Sequence, residues 1–287
     1  MPSLLKRRLQ RLPSYVSAFG WYHGARLMIV NERNADRRSQ PKRRYRVPGF
    51  DWPIWLRDTV SDRSIFWQCF VMRQYALTDF RQTDRLLQRY RETLAGGARP
   101  LIVDCGGNVG LSAIWFTKHF PEAEIRVLEP DRDNFEVLKE NTAPYGDRIH
   151  PILGGIWNSG QDLVVENPDA GAAALRFDEA RGAGQPAVPG YSMAQVLEQA
   201  ERKHCLIVKL DIEGAQKALF EKNTEWVGKV DLIIIELDDW QFPWAGTSRP
   251  FLRCVSQYPF DYLLKGENLF CFRDSEASGG AELAIKA

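Results

Sequence analysis

The sequence predicts an α/β fold: a mostly parallel sheet with helices on both faces, finished by a C-terminal antiparallel hairpin. Three observations lead there. Beyond position 100, short β-branched runs (100–105, 124–129, 148–153, 205–211 and 232–237) alternate with stretches carrying apolar residues at helical spacing (111–120, 132–141, 192–201 and 215–220). Alternation of this kind marks parallel strands joined by covering helices. The first run passes straight into a glycine-rich turn and a helix, reading L-I-V-D-C-G-G-N-V-G-L-S from Leu101 to Ser112. The last two apolar runs, 260–264 and 269–272, are separated by Lys265-Gly266-Glu267-Asn268, a turn-like break that makes them an edge hairpin.

Taken in order, the elements begin with a charge imbalance. The 287 residues hold 38 Lys+Arg against 37 Asp+Glu, a net charge of +1. Residues 1–48 carry twelve of the basic side chains and only two acids, Glu32 and Asp36, so this segment stands at +10 and the rest at −9. Leu4, Leu5, Leu9 and Leu12 interleave with Lys6, Arg7, Arg8 and Arg11 as a basic amphipathic turn or two. Residues 1–48 are therefore read as a basic helical N-terminal extension, either a solvated helix packed on the body or an arm for peripheral membrane contact or partner docking. Residues 49–98 form a pre-core substrate or cap segment, with a strand over 51–57 and a helix capped by Ser61-Asp62. The core domain occupies 99–274, and 275–287 reads as a flexible tail. Within the core, residues 158–189 are rich in Gly, Ala and Pro with strand-like pieces at 162–166 and 173–177, and either extend the sheet or form a flap.

Composition removes several classes. A hydrophobic fraction of 44% with 26% charged residues is that of a globular enzyme and not of a disordered chain. No apolar run approaches the ~20 residues of a membrane helix, and the N-terminus lacks a signal-peptide pattern, so a cytoplasmic location is expected. The five cysteines, Cys69, Cys105, Cys205, Cys254 and Cys271, show no C-x-x-C pair and read as reduced, buried thiols.

The chemistry concentrates around the glycine-rich turn. Glycines allow the tight turn and a close ligand, and the helix that follows offers unpaired N–H groups. Nineteen residues after Gly110, Glu129 closes the second run, where a carboxylate accepts hydrogen bonds from both hydroxyls of an adenosine ribose. The turn reads D-x-G-x-N-x-G, with Asn108 where a dinucleotide fingerprint needs its second glycine, which disfavours a diphosphate. A smaller zwitterion, the methionine end of S-adenosylmethionine, fits better. Asp104, Gly106, Asn108, Gly110 and Glu129 are the expected cofactor-binding residues.

These residues resemble the FkbM-type S-adenosylmethionine-dependent methyltransferases. The resemblance covers most of residues 50–272 and rests on four motifs in order: V-D-C-G-G-N-V-G from Val103, Leu128-Glu129-Pro130, L-I-V-K-L-D-I-E-G-A from Leu206, and L-I-I-I-E-L-D-D-W from Leu232. Trp55-Leu56-Arg57, Ser61-Asp62 and Tyr75 are similar to the family's pre-core segment. The resemblance implies the class I methyltransferase Rossmann-like fold, seven strands in the order 3-2-1-4-5-7-6. It also implies methyl transfer to a hydroxyl of a sugar, glycolipid or natural product. One departure is Asp238, where the family often carries histidine.

A hydroxyl acceptor needs in-line alignment and a group to take its proton. In an open α/β sheet it lies beyond the carboxyl ends of the strands, where Asp211, Glu213, Glu236 and Asp238 are the available acids. Asp211 is the preferred base or substrate anchor, Glu213 is its neighbour, and Lys209, two residues earlier on the same side of the strand, pairs with Asp211. Asp211 with Glu236 or Asp238 could mimic an oxygen-rich divalent-cation site at the ends of strands four and five, but without a clear ligand triplet no metal is expected. Trp52, Trp55, Trp240 and Trp244 fall near the substrate face, whereas Trp115 and Phe116 read as core. A competing class is an RNA-binding or RNA-modifying methyltransferase guided by the basic arm, which would bind with steep salt dependence. The N-P pair, Asn167-Pro168, is followed by Asp169, so the base-methylating N-P-P-[YF] motif is lacking and the expected acceptor is a small molecule or glycan.

Overall fold

The computed structural model describes residues 4–32, 41–165, 177–179, 187–198 and 203–274. In chain order the elements are α1 (Leu4–Asn31), β1 (Lys42–Tyr45), β2 (Ile54–Arg57), α2 (Val60–Phe66), α3 (Thr83–Ala95), β3 (Arg99–Cys105), α4 (Leu111–His119), β4 (Glu124–Glu129), α5 (Arg132–Thr142) and β5 (Ile149–Leu153). There follow β6 (Gly155–Trp157), β7 (Asp162–Val165), β8 (Phe177–Glu179), β9 (Ala187–Ser192), α6 (Met193–Glu198), β10 (Lys203–Leu210), α7 (Gln216–Leu219), β11 (Leu232–Glu236), α8 (Arg249–Val255), β12 (Phe260–Lys265) and β13 (Asn268–Arg273).

The central sheet has seven strands in the order β12-β13-β11-β10-β3-β4-β5. Strand β13 alone runs against its neighbours, pairing antiparallel with both β11 and β12, while the other pairings are parallel. This is the class I methyltransferase arrangement, 3-2-1-4-5-7-6 counted along the core. Alternate residues of the strands feed two separate cores. Ile102, Ile125, Val127 and Ile234 pack under α3, α4 and α5, whereas Val103, Leu128, Val208 and Ile233 pack under α6, α7 and α8. Burial on both faces is why these strands read as continuous apolar runs. Trp115 and Phe116 are buried in the first of these cores, and all five cysteines are free and buried.

Three details depart from the sequence reading. The cap of α2 is Thr59, whose side chain accepts from the Asp62 amide, and Asp62 itself sits inside the helix, buried. Strands β6, β7, β8 and β9 do not extend the central sheet. They build a second sheet in the order β6-β9-β7-β8, closed by a small core of Trp157, Leu163, Val188 and Ala215. Of the expected strand at 173–177, only Phe177 lies within the described residues. Residues 42–45 of the basic segment form β1, paired antiparallel with β2.

The helix α1 is bent at Gly20, whose backbone (φ 75°, ψ 168°) is non-helical, and its two halves fold together. A Cβ at Gly24 would lie 2.4 Å from the Tyr15 carbonyl oxygen, so only glycine permits this approach. Arg11 pairs with Glu32 at 2.7 Å, and the Asn31 amide donates to the Tyr15 hydroxyl at 2.8 Å. Tyr15 and Arg11 in turn cover Trp67, with the rings 5.5 Å apart and the guanidinium 4.3 Å from the indole. Trp67 opens a π-helical turn, Trp67–Val71, that continues α2. No helix among the described residues is long and apolar enough to cross a membrane.

Candidate active site

The carboxyl ends of β3, β4, β10 and β11 converge on one cavity of about 320 Å³. Its floor is the turn after β3. Gly106 (φ 79°) and Gly107 both donate their amides to the Leu128 carbonyl, at 3.0 and 2.9 Å, which locks the turn against β4. A Cβ at Gly106 would stand 1.8 Å from the Asp211 carbonyl oxygen, so glycine is required where the end of β10 passes over the turn. Gly110 (φ 87°) starts α4.

At one end of the cavity, Glu129 accepts from the Asn108 amide at 2.7 Å, the Asp131 amide at 3.0 Å and the Asn134 side chain at 3.4 Å. Burial pushes its carboxyl up to about 7, with those three donors pulling the other way. Asn108 lines the same end with a positive φ of 48°, and its Oδ1 is buried without a hydrogen-bond partner. An orphaned acceptor beside a carboxylate suits a ligand bearing hydroxyl and ammonium donors. On this observation the residues fit S-adenosylmethionine: Glu129 would hold the ribose and Asn108 would meet a donor of the ligand.

The other end is acidic. Asp211, Glu213, Glu236 and Glu267 line it together with Trp240 and Gln241. Glu213 (φ 30°) accepts from the Gln241 amide at 3.1 Å. Asp238 turns inward, where it accepts from the Gly214 amide and is raised by burial. Glu236 is pushed up to about 8, first by burial and then by the charges of Asp211, Glu267, Glu213 and Asp238. Ser64 and Gln68, from α2 and the π-helical turn, form the wall opposite.

Of the residues expected from sequence, Gly106, Asn108, Glu129, Asp211 and Glu213 border the cavity. Asp104, Gly110 and Lys209 stand behind its wall. Asp104 is fully buried, accepting from the Ser112 hydroxyl and pairing with Lys209 at 2.9 Å. The Lys209 ammonium also donates to the Gly106 carbonyl at 3.0 Å and lies 3.6 Å from Asp211. Burial disfavours that ammonium, but Asp104, Tyr75 and Asp211 more than restore it and hold it well above the ordinary lysine range. Ser64 and Gln68 carried no signal in the sequence. Glu236 did, as an acid closing a strand, but Asp211 is the acid expected from sequence because its strand adjoins β3, where the methyl donor is expected. Trp240 lines the cavity, whereas Trp244 is 97% exposed and outside it. Among the described residues, no group of three His, Cys, Asp or Glu gathers to hold a metal.

Comparison with known proteins adds relatives to this geometry. The model of the Methyltransferase FkbM domain matches residues 104–253. Hexuronic acid methyltransferase AglP of Haloferax volcanii is 27% identical over 135 residues, which are 47% of this chain and 54% of that protein. The chain thus spans about half the length of that relative. Among solved structures, methyltransferase FkbM from Methylobacillus flagellatus KT is similar at 14% identity and a TM-score of 0.43, over 61% of this chain and 44% of that one. A methyltransferase from Geobacter sulfurreducens is similar at 17% identity and a TM-score of 0.32, over 68% and 80%.

Proposed function

We propose, from the premise that this chain belongs to the FkbM methyltransferase family, that it transfers a methyl group from S-adenosylmethionine to a hydroxyl of a sugar, glycolipid or related natural product. S-adenosylmethionine is the cofactor of the family. The observation that carries the reading is the single cavity joining the Glu129–Asn108 end to the Asp211–Glu236 end. The sugar-acid methyltransferase among its relatives supports an acceptor of the carbohydrate class.

When bound, the cofactor supplies an electrophilic methyl on a sulfonium. The chain's own part is alignment and proton removal. Lys209 ties the Gly106 carbonyl, Asp104 and Asp211 together, so the turn under the cofactor and the acid facing the acceptor are held by one ammonium. Asp211 anchors the acceptor hydroxyl, and Glu213, fixed by Gln241, borders the same space. Glu236 takes the hydroxyl proton on its carboxylate: with its titration near 8, it is a far better proton acceptor than an ordinary carboxylate, as a general base should be. Isothermal titration with S-adenosylmethionine tests the first half, and release of S-adenosylhomocysteine with hydroxylated glycosides tests the second. Micromolar cofactor binding with turnover of a glycoside is expected; no binding at millimolar cofactor sinks the reading.

The reading extends to residues 1–48 as a peripheral membrane contact and to a cytoplasmic location. The first is supported by Trp21 and Tyr22, each 71% exposed beside the bend at Gly20, and by the +10 charge of the segment. The second is supported by five free, buried thiols.

A further inference from the structure

We infer, on the footing of the methyl-transfer reading, that Arg57 and Asp62 are positioning residues of the methyl-donor site: they fix the side-chain amide of Asn134 so that it donates to Glu129 and presents that carboxylate to the ribose hydroxyls. The links are continuous. Arg57 donates from Nε and Nη2 to the Asp62 carboxylate, at 3.2 and 2.7 Å, and from Nη2 to Asn134 Oδ1 at 2.6 Å. Asn134 Nδ2 in turn donates to Glu129 Oε1 at 3.4 Å. Along this chain the Arg57 side chain is 10% exposed, Asp62 is fully enclosed and Asn134 is 1% exposed. Asp62 is itself held, accepting from the Thr59 hydroxyl at 2.9 Å and from the Arg57 backbone amide at 2.7 Å.

The chemistry of the groups gives the chain its direction. A guanidinium carries donors and no acceptor, so it draws the oxygen of the Asn134 amide toward itself and leaves the NH2 facing Glu129. Without Arg57 the amide can turn, and its oxygen against the Glu129 carboxylate sets acceptor on acceptor. The 2.6 Å contact has the length of a charge-assisted hydrogen bond, whereas the 3.4 Å step to Glu129 is long. What Arg57 supplies is therefore the orientation of the amide. A second route runs beside the first. The Trp55 amide donates to Asn141 Oδ1 at 2.6 Å, and Asn141 Nδ2 returns to the Trp55 carbonyl at 3.0 Å and reaches the Val109 carbonyl at 2.8 Å. Val109 follows Asn108, whose amide donates to Glu129 at 2.7 Å. Asn134 and Asn141 stand seven residues apart on α5, about two turns and so on one face, and β2 grips that face at both points. The Trp55-Leu56-Arg57 strand and Asp62 thereby gain a duty at the donor end of the cavity.

The test measures binding of S-adenosylhomocysteine and of its 2′,3′-dideoxy analogue to the full chain by titration calorimetry. Arg57→Lys keeps a cation against Asp62 but loses the fork that reaches Asp62 and Asn134 together. It should bind S-adenosylhomocysteine ~10-fold more weakly than wild type and the dideoxy analogue within ~2-fold, because the loss is confined to the ribose hydroxyls. Asn134→Leu should show the same pattern, and Arg57→Lys/Asn134→Leu should be within ~2-fold of either single variant, since both act through one amide. Arg57→Met/Asp62→Asn, which leaves neither enclosed charge behind, takes the place of Arg57→Lys if that variant does not fold. In each variant the affinity should also begin to fall at a pH ~0.5 or more above that of wild type. Glu129 keeps the Asn108 and Asp131 amides and the nearby Asp131 charge, but loses the Asn134 donor that favours its carboxylate. Unchanged affinity, equal weakening of both ligands, a double variant ~100-fold down or an unmoved pH profile overturns the inference and leaves the methyl-transfer reading standing. A wild-type chain that binds neither ligand at millimolar concentration overturns both.

Discussion

Lys209 and Asp104 occupy paired positions on adjacent parallel strands, and their side chains meet in the core with Nζ 2.9 Å from Oδ1. Neither is appreciably exposed, at 2% and 0%. Removing one partner strands the other charge in a low-dielectric interior. Lys209→Met should therefore cost ~3–5 kcal/mol in denaturant unfolding. Asp104→Asn/Lys209→Met should recover a substantial part of that loss, because the charge that remains, Asp211, is 25% exposed and not enclosed like Asp104. A double variant no more stable than Lys209→Met would show that packing, not charge, sets the cost.

Cofactor affinity should follow the ionisation of Glu129. Its folded value of about 7 lies above the ordinary 4.5, so the free protein favours the protonated carboxyl. The sign follows: the stabilising contribution of the neutral form is full below about 4.5 and is lost as pH rises to about 7. Cofactor binding asks for the carboxylate, since ribose hydroxyls must donate to it. Affinity should accordingly be flat above pH ~7 and fall up to ~10-fold per unit below it, measured by titration calorimetry across pH. Glu129→Ala should weaken binding by two orders of magnitude or more, about the cost of losing hydrogen bonds to a charged group, while Asp178→Ala on β8 leaves it near wild type.

Glu236 predicts the pH profile of turnover. A base must be ionised to act, so kcat should rise with pH and level off above about 8. Glu236→Gln should lower kcat by ~10²–10⁴ and flatten this rise, with cofactor affinity within a few-fold of wild type. If the rise persists in Glu236→Gln, the titrating base is another group, with Asp211 next in position.

The bend of α1 predicts a lipid contact. The full chain should co-sediment with vesicles containing anionic lipid and not with neutral ones, and Trp21→Ala/Tyr22→Ala should lose most of that binding while keeping its cofactor affinity. Retention of vesicle binding by the double variant would move the contact away from the bend.

What the sequence made legible tracks how local each feature is. Strand β4 falls at its expected bounds, and β3, β5, β10 and β11 fall within two residues of theirs, because burial on both faces writes an uninterrupted apolar run. That Gly106, Asn108 and Glu129 border one cavity was legible because turn, strand and Glu129 are close in sequence. The second sheet was not: β6 and β9 pair in parallel with 29 residues between them, in strands of three and six, too short to show a period. Lys209 shows the same limit within the site. Alternation along one strand placed it beside Asp211, but its closer partner, Asp104, is set by inter-strand register. Thr59, Ser61 and Asp62 are all good caps, so composition alone does not choose among them.

The turn of helix around Trp67 has two sides with different duties. Ser64, Ile65 and Gln68 form a wall of the cavity, while Trp67 lies under Tyr15 and Arg11 of the basic helix. A pull on α1, whether from a lipid surface or from deletion of residues 1–48, should be felt through Trp67 by the cavity wall that Ser64, Ile65 and Gln68 form. The N-terminal segment would in that sense be a handle on the cavity, and shortening it should alter KM for the acceptor before it alters the affinity for the methyl donor.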